Sequence, residues 1–218
     1  MASQNYCCIP DLSIAFEDAT LLVVDKPSGM LSQPGRTEPD SVLSRVRLAR
    51  SEAHGPMLVH RLDMDTSGLL ILAKTRSAHR ILQQQFEHRH VSKRYRALLS
   101  RPPLGLGGRI HLPLRVDIEN RPRQIVCARY GKPSTTLWRR DTEGHENGVV
   151  LFPLTGRTHQ LRVHMAHNQG LGNAIQGDRL YGCASDRLML HAEYLAFDHP
   201  VSGIRTRISS DARFTNRD

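Results

Sequence analysis

The fold of this chain depends on the stretch Met57-Leu58-Val59-His60-Arg61-Leu62-Asp63-Met64-Asp65-Thr66-Ser67-Gly68-Leu69-Leu70-Ile71-Leu72-Ala73. It begins and ends with apolar runs, each typical of a short buried strand. The residues between them, His60–Gly68, include two carboxylates, an imidazole, a guanidinium and two hydroxyls. A simple connection has no need of so many polar groups, and loops held by rigid elements often carry function. The alternative is a solvated loop of local turns.

Further strands are predicted on both sides of this stretch, and most of them follow it in direct succession. The patterns lie at Leu21–Val24, Lys93–Leu99, Arg109–Leu114, Ile125–Tyr130, Thr135–Arg140, Val149–Phe152 and Leu188–Phe197. Consecutive strands of this kind do not fit a regular alternation of strand and helix. They predict an α+β fold around a mixed, mostly antiparallel sheet.

About three helices accompany these strands. Asp40 or Ser41 can cap a short one, and Thr75 caps the clearest one, whose apolar residues recur at helical spacing until about His90. A third helix is predicted to begin at Thr158 and to stop at Gly170.

Composition narrows the class of partner. Thirty Lys and Arg against 21 Asp and Glu give a net charge of +9, spread along the whole length, so a polyanion is the expected partner. No apolar run approaches the roughly 20 residues that span a bilayer, so nucleic acid is favoured over a membrane. The start of the chain does not resemble a signal peptide, which predicts a cytoplasmic protein. Cys7, Cys8, Cys127 and Cys183 lack zinc-ribbon spacing and are expected to be reduced thiols.

Two other segments concentrate polar groups. Thr155–His164 contains a glycine turn leading into a predicted helix, an arrangement that suits a phosphate or a carboxylate. Its alternative is a surface helix with exposed Arg157 and Arg162. In the second segment, Lys93–Arg96, strand alternation places Tyr95 on the face opposite its arginine neighbours, so one face can pack inside while the other meets RNA. A core tyrosine is the commoner outcome for such a residue.

Metal and hydrolase chemistry are weaker hypotheses. His164 and His167 can share a helix face, but His159 is rotated away from it and no nearby carboxylate completes a metal site. Ser67 lies in no strand-to-helix elbow, so a hydrolase built on Ser67, His60 and Asp63 is disfavoured. No metal site is expected.

Four segments and two shorter ones together resemble the RluA family of pseudouridine synthases, in order over nearly the whole chain. They are Leu22–Gly29, His60–Leu69, Lys93–Tyr95, Thr155–His164, Gly177–Gly182 and Leu190–Ala192. The resemblance implies a pseudouridine synthase fold with an RNA-binding cleft, an isomerase activity, and no cofactor. It implies that Asp63 is the catalytic aspartate, that Tyr95 packs against the target base, and that Arg162 pairs with Asp63. Arg61 would help to hold the flipped-out RNA.

The resemblance also sets expectations for RNA contacts and for substrates. The predicted RNA-binding residues are Arg61, Lys26, Thr66, Arg157, His159, Lys93 and Arg123. The segment Asn120–Gln124 is similar to the short family members that act on stem-loops of large-subunit rRNA and of tRNA. We expect a monomer with an N-terminal extension at residues 1–13, a catalytic domain at 14–208 and a polar tail at 209–218.

One carboxylate is sufficient for the implied reaction, which breaks the N–C1′ bond, rotates the base and forms a C5–C1′ bond. Asp63 can add covalently or act as a base at the sugar, and the sequence does not choose between these. Asp65 has no required role in this reaction and is interpreted as a loop residue. Two rival hypotheses are a non-catalytic RNA-binding or chaperone protein on the same fold, and a metal-dependent nuclease using the His159 region.

Overall fold

The computed structural model describes residues 9–51, 53, 57–142, 144–212 and 214. The thiols Cys7 and Cys8, and the outer parts of both predicted terminal segments, lie outside the described residues. The chain divides into two compact units, and each is described by itself. Unit 1 contains residues 1–91 and 196–210, and unit 2 contains residues 92–195 and 211–218.

Unit 1 is built on four antiparallel strands, β1 (Ser13–Glu17), β2 (Leu21–Lys26), β3 (Met57–Leu58) and β4 (Ser67–Ala73). β2 lies between β1 and β4, and β3 also pairs with β4. All seven residues of β4 are buried, which is why this strand is a continuous apolar run rather than an alternating one. The polar loop of the opening stretch therefore ends on a rigid, buried strand.

The two helices of unit 1 begin where their capping residues predict. α1 (Val42–Ala49) is capped by Ser41, whose side chain accepts a hydrogen bond from the Ser44 backbone N–H. α2 (Arg76–Glu87) is capped by Thr75 and buries Ala78, Leu82 and Gln85.

Unit 2 contains the strands β5 (Ser92–Leu98), β6 (Gly107–Val116), β7 (Gln124–Val126), β8 (Lys132–Arg140) and β9 (Gly148–Pro153), and the helix α3 (Gln160–Ala166). The strands pair antiparallel in the order β5-β9-β8-β6-β7. Their apolar side chains, with Leu161, Val163 and Met165 of α3, form one hydrophobic core. β10 (Leu190–Asp198) belongs to unit 2 as far as Leu195 and then to unit 1, which also contains β11 (Arg205–Ser209).

The predicted α+β class with a mostly antiparallel sheet is confirmed, but several element boundaries are wrong. The helix predicted to begin at Thr158 begins at Gln160, because His159 has φ +52°, a left-handed conformation that a helix cannot continue through. The strand predicted to reach Tyr130 ends at Val126. There the Cys127 N–H donates to the Pro113 carbonyl, and the Cys127 carbonyl accepts from the Gly131 N–H in a tight turn.

Two strands, β1 and β11, were not predicted at all. Both expose part of their residues and bury few apolar side chains, so neither has the hydrophobic pattern of a core strand. Ser67 and Gly68, predicted as loop, belong to β4, where Gly68 pairs with Lys26.

Candidate active-site residues

The loop that carries Asp63 is held in unit 1 by the turn that follows β2. Lys26 is fully buried, and its ammonium donates to the carbonyls of Pro27, Met30 and Met64, each at 2.8 Å. An ammonium has three N–H donors, and these three bonds use them all. Lys26 therefore ties the loop, at the residue after Asp63, to the end of β2.

Two serines and one glycine add further hydrogen bonds between the same turn and the same loop. The Ser32 hydroxyl donates to the Leu62 carbonyl at 2.7 Å and accepts from the Leu62 N–H at 3.1 Å. The Ser28 hydroxyl donates to the Asp65 carbonyl at 2.6 Å, and the Gly29 N–H donates to the Met64 carbonyl at 3.0 Å. The backbone on both sides of Asp63 is thus fixed by neighbours, which pre-organises its carboxylate.

The ends of the loop are anchored as well. The His60 ring stacks on Phe86 of α2, with centroids 4.6 Å apart, and its Nε2 accepts from the Ile71 N–H of β4. The buried Thr66 donates its N–H to the Asp63 carbonyl at 3.1 Å. Asp63 itself is half-buried, while Arg61 is exposed.

In unit 2, Arg162 lies on α3 and forms a bidentate ion pair with Asp178. The Nε and Nη2 atoms of Arg162 donate to the two carboxylate oxygens at 2.8 and 2.6 Å, and both side chains are buried. Such a fork is the strongest geometry of an arginine–carboxylate pair. The alternative that made Arg162 a surface charge is wrong, since only 2% of it is exposed. α3 buries six of its seven residues, so it packs as a core element.

Tyr181 brings two of the predicted RNA-binding residues together beside Arg162. The guanidinium carbons of Arg162 and Arg123 lie 5.4 and 5.5 Å from the centre of its ring. Its hydroxyl accepts from the Gln124 N–H at 2.7 Å and shares a second hydrogen bond with Nδ1 of His159 at 2.8 Å. A cleft of about 300 Å³ opens next to this group, lined by residues 123–126 of the β7 strand region, by α3 and by Tyr181.

A chain of buried hydrogen bonds supports α3 from the opposite strands. The Ser134 hydroxyl donates its only hydrogen to the Leu112 carbonyl, so Nε2 of His164 must donate to Ser134, at 2.8 Å. Nδ1 of His164 then accepts from the Thr136 hydroxyl at 2.9 Å, and Thr136 accepts from the Gln160 side-chain amide. Burial, with a smaller effect of the nearby His111, lowers the pKa of His164 to about 4. His164 is therefore a neutral structural residue at neutral pH.

Tyr95 lies on β5 and is half-buried, packed against the core of unit 2. Its neighbours on the strand, Arg94 and Arg96, form ion pairs with Glu193, and Arg96 also pairs with Asp141. The predicted alternation of β5 is therefore confirmed: the tyrosine packs on the apolar side and the arginines engage carboxylates.

A family model described as RNA pseudouridylate synthase matches residues 20–167. The dual-specificity RNA pseudouridine synthase RluA of Escherichia coli is 42% identical over 94% of this chain and 95% of its own length. The chain belongs to this family. RluA of Vibrio parahaemolyticus is 46% identical over 93% of the chain and 84% of its own length.

Solved structures agree with the family assignment. The human RNA pseudouridylate synthase domain containing 1 aligns with a TM-score of 0.77 and 29% identity, over 94% of this chain and 85% of that one. The human domain containing 4 aligns with a TM-score of 0.72 at 23% identity, over 91% of this chain and 88% of that one, which supports the fold alone.

The predicted site residues of this family member fall into three groups. Exposed or half-buried ones are Arg61, Lys93, Arg123 and Arg157, which are placed where they can reach a ligand. Buried ones are Lys26, Thr66 and His159, whose observed contacts hold protein groups in position. Asp63 lies in unit 1, whereas Tyr95 and Arg162 lie in unit 2.

Residues that the sequence analysis did not single out are Asp178, Tyr181, Ser28 and Ser32. Asp178 and Tyr181 lie within the recognised motif Gly177–Gly182, and Ser28 lies within Leu22–Gly29. Those motifs were a signal that the three residues matter but not of what they do. Among the described residues, no three His, Cys, Asp or Glu side chains are grouped so that they could hold a metal ion. In the same part of the chain, no helix is long and apolar enough to cross a membrane.

Proposed function

We propose that this chain isomerises specific uridines in two RNA substrates, a stem-loop of large-subunit rRNA and the anticodon stem-loop of tRNA. The observation that carries this proposal is the 42% identity, over 94% of the chain, to relatives named dual-specificity RNA pseudouridine synthase. The net charge of +9 supports a phosphate-rich partner. A monomer acting in the cytoplasm remains part of the proposal.

In the proposed mechanism, Asp63 is the central reagent, and the uridine rearranges without loss of any group except the C5 proton. The N1–C1′ bond breaks, the base rotates, the C5–C1′ bond forms, and the hydrogen on C5 leaves to solvent as a proton while N1 takes up a proton, so that the product is an isomer of uridine. The rigid backbone around Asp63 supports this role, because a reagent that must attack one atom gains from a fixed position. Arg162 favours the ionised carboxylate by charge and hydrogen bonding, and Tyr95 stacks on the target base.

The target uridine has to leave its stack to react, which costs a few kcal/mol and least in a loop. This is the physical reason for proposing stem-loops as substrates. Arg61, Arg123, Arg157 and Lys93 are proposed to contact the RNA, since each reaches the surface of its unit. For Lys26, Thr66 and His159 we replace the predicted RNA contact by a positioning role.

The experiment that tests the function compares Asp63→Asn with Asp65→Asn. Both substitutions remove one carboxylate from the same loop, and both residues are half-buried, so they are closely matched. Each protein is incubated with transcripts of the two stem-loops that carry tritium at C5 of uridine, and the released tritium is measured. We expect Asp63→Asn to release no tritium while binding RNA as the wild type does, and Asp65→Asn to retain most activity.

Four outcomes would contradict the proposal. Tritium release by Asp63→Asn at the wild-type rate would refute the role of Asp63. RNA binding by the wild type without any conversion would favour the non-catalytic RNA-binding protein. Conversion of only one stem-loop would refute dual specificity but leave the isomerase. A tritium-release rate that is unchanged in EDTA is expected, whereas RNA cleavage that EDTA abolishes, without tritium release, would favour the metal-dependent nuclease.

A further inference from the structure

Arg162 carries a charge at a position where charge is costly. Its side chain is 2% exposed, and its neighbours on α3, Leu161 and Val163, are part of the hydrophobic core of unit 2. A buried guanidinium is tolerated only if its charge is compensated and its N–H groups are bonded. The group that compensates the charge of Arg162 also decides the direction in which the guanidinium points.

Asp178 is the compensating group, and it is itself fixed. It is fully buried, and its Oδ1 accepts hydrogen bonds from the N–H groups of Leu180 and Tyr181 in addition to Arg162. Its carbonyl accepts from the Gly182 N–H at 2.8 Å, which closes a tight turn. Gly177, just before it, has φ +73°, and a Cβ there would lie 1.8 Å from the Arg187 carbonyl oxygen. The carboxylate cannot shift without opening this turn.

Tyr181 restrains the guanidinium in the other direction. Its ring lies with its centre 5.4 Å from the guanidinium carbon of Arg162, while Asp178 holds the Nε–Nη2 edge of the same group. The Tyr181 hydroxyl is bonded to the Gln124 N–H and to His159, so the ring cannot swing away freely. Asp178 thus holds one edge of the guanidinium, and Tyr181 contacts the same group through its ring.

The two bonds to Asp178 occupy two of the five guanidinium N–H donors. The occupied edge is Nε–Nη2, so both donors of Nη1 and the second donor of Nη2 lie outside this fork. An arginine held in this way presents the Nη1 end in a fixed direction and carries a charge that Asp178 partly offsets.

We propose that Asp178 and Tyr181 are positioning residues of the isomerase, which orient Arg162 so that its Nη1 end acts on the reacting centre. The proposal rests on the proposed function of Arg162. It predicts that loss of Asp178 slows the chemical step without weakening RNA binding, since neither bond of the fork involves RNA.

The test uses Asp178→Asn, which keeps the shape of the side chain but sets an amide N–H₂ against the N–H groups of Arg162. Single-turnover rates on the tritiated stem-loops are compared with Kd for the same RNA. We expect the rate to fall roughly 10- to 100-fold, the size of effect that a misplacement of about 1 Å produces, while Kd changes less than threefold. Asp186→Asn, an exposed carboxylate eight residues along, is the matched control and should behave as wild type.

A double substitution separates positioning from general stability. If Asp178 acts through Arg162, then Asp178→Asn should add less than threefold to the defect of Arg162→Lys, because interacting residues are not additive. A full 10- to 100-fold further loss in the Arg162→Lys background would overturn the proposal. So would an Asp178→Asn protein with a wild-type rate.

Tyr181→Leu provides the second variant if Asp178→Asn does not fold. Removing the ring should lower the single-turnover rate at least fivefold with Kd within threefold, whereas an unchanged rate would refute the positioning role. Asp63→Asn is measured beside these variants. If it is inactive while Asp178→Asn and Tyr181→Leu are as fast as wild type, the proposed function stands and only this inference fails.

Discussion

Mild acid should destabilise unit 2 through His164, and replacing that residue should remove the effect. The neutral ring is required by its two bonds, because Nε2 donates to Ser134 and Nδ1 accepts from Thr136. A proton on Nδ1 would remove the lone pair that accepts the Thr136 hydroxyl hydrogen and would set two donors against each other. Burial adds the cost of an unpaired charge, and together with His111 it lowers the pKa of His164 to about 4.

The direction of the pH effect on stability, and the pH range in which it occurs, follow from the pKa of His164. In the unfolded chain the imidazole takes up its proton near its ordinary pKa of 6.5, whereas in the folded chain it does so only near 4. The unfolded state binds more protons between these values, so the free energy of unfolding falls as the pH is lowered through that interval. Each pH unit is worth about 1.4 kcal/mol, and the whole interval about 3 kcal/mol.

The measurement is urea unfolding at pH 7.5, 6.5, 5.5 and 4.5 of the wild type and of His164→Gln. The amide keeps one donor and one acceptor but does not titrate. The pH dependence of the variant should be flatter by about 1 kcal/mol per pH unit below pH 6. The exposed His88, replaced by Gln, is the control and should leave the dependence unchanged. Equal slopes for the wild type and His164→Gln would refute the assignment.

Glu17, whose side chain is buried, contributes in a lower pH range than His164 does. Although burial raises it, hydrogen bonds from Arg50 and Lys74 hold the pKa of Glu17 below its ordinary 4.5. Its contribution is present above pH 4.5 and is lost only as the pH falls further.

Two further predictions concern the loop and the RNA. Lys26→Met removes the buried ammonium that donates to three carbonyls, so we expect a loss of roughly 2–4 kcal/mol in urea unfolding and a slower single turnover, whereas the exposed Lys132→Met should change neither; an unchanged rate would show that Lys26 does not position the loop. Arg61→Ala and Arg157→Ala should each reduce the slope of log Kd against log salt by about 1, measured by filter binding on the rRNA stem-loop, and an unchanged slope would remove that residue from the RNA contacts.

The strands and helices that the sequence predicted correctly are those with a strong local pattern. The apolar run of β4 and the helical spacing of α2, with its cap Thr75, needed no knowledge of distant residues. Strands β1 and β11 were harder to predict, because they bury little apolar surface and are held mainly by pairing with neighbouring strands. The start of α3 was misplaced because the left-handed His159 interrupts a segment whose composition suits a helix.

For the candidate site, the sequence by itself determined which residue types stand in which order: a loop with Asp63, then Tyr95, then Arg162. It also assigned the family, because motif order is a property of the chain. Only the tertiary structure decided whether these charged side chains are buried and which groups they bind. Lys26 and Arg162 look like surface cations in a sequence, yet both are buried, since Lys26 donates to three carbonyls, one of them 38 residues away, and Arg162 forms a bidentate pair with a carboxylate 16 residues away. Burial and partner choice depend on contacts across 16 to 38 residues, which no local pattern records.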